Sequence, residues 1–180
     1  MTVQTQFDEN LVGVLASGKL AVLRTDTLYG IVASAEDEAA VSQVHTVKVR
    51  SDGKALIVLI ASPEQAYDGS GFIAQLTNHK DPTSVIVPSP NAPSWLQHAD
   101  GTVAYRVPVI AELRELLTKT GPLVAPSANP EGKTPARTID EAKDYFGEVI
   151  SAYVDGGEVA GSKASIIIKL ETDGSTHRLR

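Results

Sequence analysis

The stretch that most narrows the fold is ALIVLIA, residues 55–61. It is an unbroken apolar run, rich in branched side chains, with no polar residue reserved for a wet face. Successive strand side chains point to opposite faces, so such a run suits a strand covered on both sides. Gly53 and Pro63 bracket it, which marks a short strand rather than a long buried helix. A central strand needs neighbours on both edges. Residues 20–23, 84–87, 102–107, 122–125, 152–154 and 165–170 read as further strands, and the closing HRLR as an edge strand. Helices fall between them. Val41, Val44 and Val47 give residues 38–47 near-helical spacing, and Leu113, Leu116 and Leu117 do the same for residues 110–118. Thr138-Ile-Asp-Glu141 has the form of a capping box, so a helix should run to about Phe146 and stop at Gly147. Ser62-Pro63 has the form of an N-cap followed by proline in a first turn. The class is α/β (or α+β), with a large mixed β-sheet and flanking helices.

A chain of 180 residues fits one domain with a sizeable core. Its hydrophobic content of 42% and charged content of 21% describe a globular chain rather than a disordered one. No apolar run is long enough for a membrane-spanning helix, so no membrane partner is expected. MTVQTQFDEN lacks the basic and apolar regions of a signal peptide, and cytoplasmic location is the expectation. With no cysteine there is no disulfide, thiolate nucleophile or cysteine metal site. The formal charge of −6 disfavours a surface built mainly to coat nucleic acid, while leaving room for a local basic pocket.

Four constellations could carry chemistry. Lys48, Arg50 and Lys54 stand where a helix ends and the central strand begins. A planar guanidinium and mobile ammoniums suit phosphate and carboxylate. The same residues also read as a solvated loop, with Lys48 complementing the helix C-terminus. In LRTDTLYG, residues 23–30, a strand ends in Thr25-Asp26-Thr27. Those side chains could hold a small polar ligand beside Gly30, which permits close backbone approach, or could bond the local amides of a turn. In PLVAPSANPEG, residues 122–132, two prolines fix the backbone that carries Ser127 and Asn129. That suits hydrogen bonding to a ligand. It does not suit a hydrolase nucleophile, because no Gly-x-Ser-x-Gly elbow surrounds Ser127. VDGGEVAGSKAS, residues 154–165, imitates a phosphate loop in the wrong order, since the lysine should precede the hydroxyl and a helix should follow. His45, His79, His98 and His177 show no metal-ligand spacing, and most of them read as surface or helix-face residues. Trp95 and Tyr105 read as packing residues.

Taken in order, these motifs resemble one family over nearly the whole chain. Thr25-Asp-Thr-Leu-Tyr-Gly30 is similar to its Pro-Thr-(Asp/Glu)-Thr-x-Tyr-Gly, with Arg24 in the proline position. Lys48-Val-Arg50-Ser-Asp-Gly-Lys54-Ala-Leu56 resembles Lys-x-Arg-Pro-x-x-Lys-Pro-Leu, with Ser51 and Ala55 replacing both prolines. Val103-Ala-Tyr-Arg106-Val-Pro108 resembles Val-Ala-x-Arg-x-Pro, Pro126-Ser127-Ala-Asn129 resembles Thr-Ser-Ala-Asn, and Ser165-Ile-Ile-Ile resembles the Ser-Thr-Val-Val strand after a glycine loop. This is the YrdC/TsaC family of L-threonylcarbamoyladenylate synthases.

The resemblance implies a single YrdC-like domain over residues 1–180, without an additional C-terminal domain, and with a basic concave cavity. It implies that L-threonine, bicarbonate and ATP, with Mg2+, give threonylcarbamoyl-AMP and pyrophosphate. The product would pass to the proteins that modify adenosine 37 of tRNA. By the same resemblance Lys48 and Arg50 would stabilise phosphoryl charge, aided by Lys54. Thr27 and Arg106 would hold threonine, and Ser127 and Asn129 would contact nucleotide or phosphate. Ser165 would close the pocket, and Arg180 would match an arginine after the last strand. Two other readings stay open from sequence alone: a module of this fold that binds double-stranded RNA, and a paralogue acting on another carbamoyl or acyl adenylate.

Overall fold

The computed structural model describes residues 2–49, 56–68, 71–77, 79–161, 164–171 and 173–180. Among the described residues ten strands form one mixed sheet, in the order β1-β8-β2-β3-β7-β4-β6-β5-β9-β10. The strands are β1 (Thr2–Gln4), β2 (Ala21–Arg24), β3 (Tyr29–Ser34), β4 (Ile57–Leu59), β5 (Thr83–Pro88), β6 (Thr102–Arg106), β7 (Leu123–Val124), β8 (Ala152–Val154), β9 (Ile166–Leu170) and β10 (Thr176–Arg178). Five α-helices accompany them: α1 (Glu9–Ala16), α2 (Glu38–Val47), α3 (Ile73–Thr77), α4 (Ala111–Thr120) and α5 (Ile139–Phe146).

The apolar run expected at the centre of the sheet is there. β4 lies between β7, antiparallel to it, and β6, parallel to it. Alternation then sorts its side chains. Val58 and Ile60 enter a core with Val41 and Val44 of α2 and Ile139 and Phe146 of α5. Leu59 faces the other way, onto Leu11 and Leu15 of α1 and Leu113, Leu116 and Leu117 of α4. The domain is therefore three layers deep, with helices on both faces of the sheet.

Local chemistry explains the helix ends. Asp8 and Asp37 cap α1 and α2 by accepting from Leu11 N and Ala40 N. Thr138 caps α5 by accepting from Glu141 N at 3.2 Å. The Glu141 carboxylate reaches one residue further back than a standard capping box, to Arg137 N at 2.7 Å. The cap form at Ser62-Pro63 yields only a short 3-10 turn, Pro63–Gln65, with no bond from the Ser62 side chain. Ala61 N donates instead to the Gln65 side chain at 2.6 Å. α2 ends at Lys48, and Val49 follows with φ +52°. That left-handed position is one a β-branched residue rarely occupies.

Candidate functional site

The helices do not cover the whole sheet. Beyond them lies a cavity of about 380 Å3. Its floor is a row of small and aliphatic side chains. Ile57 and Ile86 stand directly opposite Ala104 on the two neighbouring strands, and Ile167 pairs with Ser84 on the next. Its walls include Thr25, Thr27, Arg106, Ser127, Ser165 and Arg180. Five of the site residues expected from sequence thus meet in one hollow, although they come from positions 27 to 180 of the chain. A second cavity, of about 510 Å3, is lined by exposed charges such as Glu112, Glu115 and Lys119, and by none of those five residues.

The turn between β2 and β3 bonds its own amides, as one reading of its sequence had it, and it also borders the cavity. Thr25 Oγ1 accepts from Thr27 N at 3.2 Å and Leu28 N at 3.3 Å, and donates to Leu28 O at 2.7 Å. These bonds leave Thr27 on the cavity wall, where Arg106 Nη1 reaches its hydroxyl at 3.5 Å. Asp26 accepts from Val109 N at 3.2 Å and holds its other oxygen 3.4 Å from Arg106 Nη2. Both side chains are buried, at 0% and 3% exposure. The pair is incompletely satisfied: Asp26 Oδ1 and Arg106 Nε have no hydrogen-bond partner. Burial pushes the Arg106 pKa down, Asp26 pulls it back up, and Arg180 pushes it down again. A guanidinium held dry beside a second cation, with an unfilled donor, has the chemistry to pair with a carboxylate or phosphate.

Ser127 and Asn129 sit on a turn pinned from two sides. Gly30 pairs with Ser127 in an isolated bridge, Ile31 N donates to Pro126 O at 2.9 Å, and Ala128 N donates to Tyr29 O at 2.7 Å. A side chain at Gly30 would stand 3.3 Å from Pro126 O, so the close approach does use the glycine. From the other side comes Lys48, itself buried. Its Nζ donates to Ser127 O, to Asn129 O at 2.6 Å and to Asn129 Oδ1 at 3.3 Å. An ammonium has three protons, and these three acceptors match them. Lys48 here organises the turn that presents Ser127 and Asn129. Ser127 Oγ donates to Asn129 Oδ1 at 2.6 Å, and Asn129 Nδ2 donates to Lys133 O at 2.8 Å.

The far wall is built by β9 and the residues after β10. Ser165 and Ser84 are both buried, with hydroxyls 3.1 Å apart. β10 folds back on β9 and carries Arg180 to Ser165, where Nε donates to the carbonyl at 2.9 Å and Nη2 to the hydroxyl at 3.2 Å. The closing edge strand read from HRLR thus places a cation on the cavity.

The glycine loop before β9 is no phosphate loop, and a strand follows it. It is tied to the TDTLYG turn. Tyr29 OH donates to Gly157 O at 2.9 Å and accepts from Gly156 N at 3.0 Å. Burial raises the Tyr29 phenol above its usual range. Arg24, in the family's proline position, lays its stem along Gly156 and donates from Nη1 to Gly156 O at 2.7 Å.

Arg50 and Lys54 lie outside the described residues. One functional candidate escaped sequence reasoning. His98, one of the histidines read mostly as surface or helix-face residues, lines the cavity, and its Nε2 is buried without a partner. No spacing signal marks it, because nothing nearby in sequence shares its role. Trp95 and Tyr105 do pack: Trp95 Nε1 donates to Ala35 O at 3.1 Å, and Tyr105 is fully buried.

Known proteins resemble this chain in sequence and in fold. The Sua5/YciO/YrdC family model, described as "Telomere recombination", matches residues 13–180. A putative threonylcarbamoyl-AMP synthase of Mycobacterium leprae is 34% identical over 176 residues, which is 94% of this chain and 80% of that protein. The threonylcarbamoyl-AMP synthase of Marinobacter nauticus is 32% identical over 168 residues, 88% of each chain. The structure of P. abyssi Sua5 complexed with L-threonine superposes with a TM-score of 0.85 at 26% identity; it is matched by 100% of this chain, which spans 57% of its own length. The chain is a member of the Sua5/YciO/YrdC family.

Proposed function

We propose that this chain is a threonylcarbamoyl-AMP synthase that joins L-threonine, bicarbonate and ATP, releases pyrophosphate, and supplies the N6-threonylcarbamoyl modification of adenosine 37 in tRNA. The observation that carries this reading is Arg106: a buried cation with an unfilled Nε, opposed by Arg180 and only partly offset by Asp26, on the wall of the cavity. Such a site favours ligands that bring their own negative charge, as the amino acid, the carbamate and the triphosphate all do.

The residues take the following roles. Arg106 and Thr27 receive the threonine carboxylate. The threonine amine adds to CO2 from bicarbonate and loses a proton, giving a carbamate. A carbamate oxygen attacks the α-phosphorus of ATP, forming a new P–O bond as the bond to pyrophosphate breaks. No protein nucleophile is required, which agrees with a Ser127 hydroxyl that has no base beside it and is spent on Asn129. Catalysis then rests on holding the two reactants together and on stabilising phosphoryl charge. Ser127 and Asn129 contact nucleotide or phosphate on a turn fixed by Lys48, and Arg180 and Ser165 close the opposite wall. Arg50 and Lys54, which precede β4 in the sequence, would add charge. The described residues contain no cluster of three His, Cys, Asp or Glu side chains fit to cage a metal, so Mg2+ would come with the phosphates it already binds. Threonine should outcompete serine by its methyl group, worth about 1–3 kcal/mol.

The test is pyrophosphate release from ATP in the presence of bicarbonate. Release should depend on L-threonine and fall at least a hundredfold in R106M. Release that is indifferent to threonine sinks the proposal.

A further inference from the structure

The cavity has two unlike ends. At one stand Arg106, Arg180 and Ser165, suited to anions. Between the ends runs the floor of Ile57, Ala104 and Ile86, which offers no charge and no hydrogen bond. At the other end is His98. Its amide donates to Thr102 O at 2.8 Å, which fixes it beside the start of β6. Thr102 precedes Arg106 by four residues, or about 13 Å of extended strand. The His98 backbone is therefore anchored at the end of β6 opposite Arg106.

The state of the ring follows from its surroundings. Burial lowers the His98 pKa; Asp100 opposes that shift and Lys169 adds to it. Those two neighbours neutralise each other in an ion pair of 2.8 Å. A neutral imidazole has one donor and one acceptor nitrogen, which suits a heterocycle edge that also mixes donors and acceptors. Nε2 is buried and unpartnered, and His98 as a residue lines the cavity. A flat apolar floor beside it would take the face of a ring, and the cations would take a phosphate.

The geometry points to His98 as the residue that reads the base of the bound nucleotide, with Nε2 hydrogen-bonded to the purine edge while Ile86 and Ala104 support the ring face. This rests on the nucleotide-binding reading above. It makes His98 a specificity determinant that acts on binding and not on the phosphoryl step.

Calorimetric titrations of wild type, H98A and H98Q test it, with ATP, inorganic triphosphate and L-threonine as separate probes. H98A should bind ATP about tenfold more weakly, the worth of one hydrogen bond to a buried partner. Inorganic triphosphate, which has no base, and L-threonine should bind all three proteins within twofold. H98Q places an amide nitrogen near the position of Nε2 and should recover most of the ATP affinity. ATP binding to H98A within twofold of wild type overturns the assignment. So does an equal loss for triphosphate, which would make His98 a general support of the cavity. If wild type binds neither ATP nor triphosphate, the nucleotide-binding reading itself falls; if it binds ATP and H98A does too, only the role of His98 falls.

Discussion

Replacing Asp26 by asparagine isolates the charge that Arg106 leans on. The amide oxygen can still accept from Val109 N, now 3.2 Å from the carboxylate, so the turn keeps its backbone bond. What is lost is the attraction across 3.4 Å to Arg106 Nη2. At that separation and an effective dielectric of about 20, Coulomb's law gives about 5 kcal/mol. Breaking a buried pair typically costs about 3–5 kcal/mol, because it leaves the partner charge buried and uncompensated. A loss of about 3 kcal/mol is expected, equivalent to roughly 6–12 °C in Tm for a domain of this size. Urea unfolding followed by circular dichroism measures it. The second half of the prediction concerns the ligand. With Asp26 neutral, Arg106 has its full charge to offer, so saturating L-threonine should raise Tm more in D26N than in wild type. A stability loss below about 1 kcal/mol would show that the pair is already solvated. A ligand shift no larger than in wild type would refute the competition between Asp26 and a substrate carboxylate.

Three further outcomes follow from the same contacts. Lys48→Met keeps the buried stem but removes the donors on Ser127 O, Asn129 O and Asn129 Oδ1; it should cost about 3 kcal/mol in urea unfolding, net of the relief from no longer burying an ammonium, and a change below about 1 kcal/mol would refute its hold on the turn. A Cβ at Gly156 would meet Arg24 Cβ at 2.6 Å and Cδ at 2.9 Å, so G156A should lose about 1–3 kcal/mol, and distinctly less in an R24G background; equal losses in both backgrounds would show that Arg24 is not the obstacle. Burial pushes the Tyr153 phenol up to about 12. The stability this supplies is whole below about pH 10 and is lost as pH rises toward the folded value. Y153F should flatten that part of the alkaline unfolding curve, and an unchanged slope would exclude Tyr153 as its source.

What the sequence revealed depended on how local the cause was. α2 spans Glu38–Val47 as its valine spacing requires, and α5 stops at Gly147 as its glycine predicts. β4 is central because nothing in ALIVLIA tolerates water. β3 went unread because Gly30, Ala33 and Ser34 are poor strand formers; its pairing with β2 and β7, not propensity, makes it a strand. α1 carries the cap Asp8 and the Leu11–Leu15 stripe, but Gly13 and two valines blur the helical pattern. Within the site, residue types were legible and directions were not. A lysine near a helix end can point at solvent, at a ligand or, as here, at the carbonyls of a turn 79 residues away. His98 was invisible because the floor it shares, with Ile86 opposite Ala104, is assembled only by strand pairing.

The ties around the cavity join residues that are very far apart along the chain. Lys48 bonds across 79 residues, Tyr29 across 127 and 128, and Arg24 across 132. Each of these bonds needs a loop closure of that length, and contacts so distant in sequence slow folding. The scaffold shares this property, since Thr2 of β1 and Ala21 of β2 both pair with Ala152 of β8. No single segment carries the site, so ligand binding would report on the folded whole rather than on any one part.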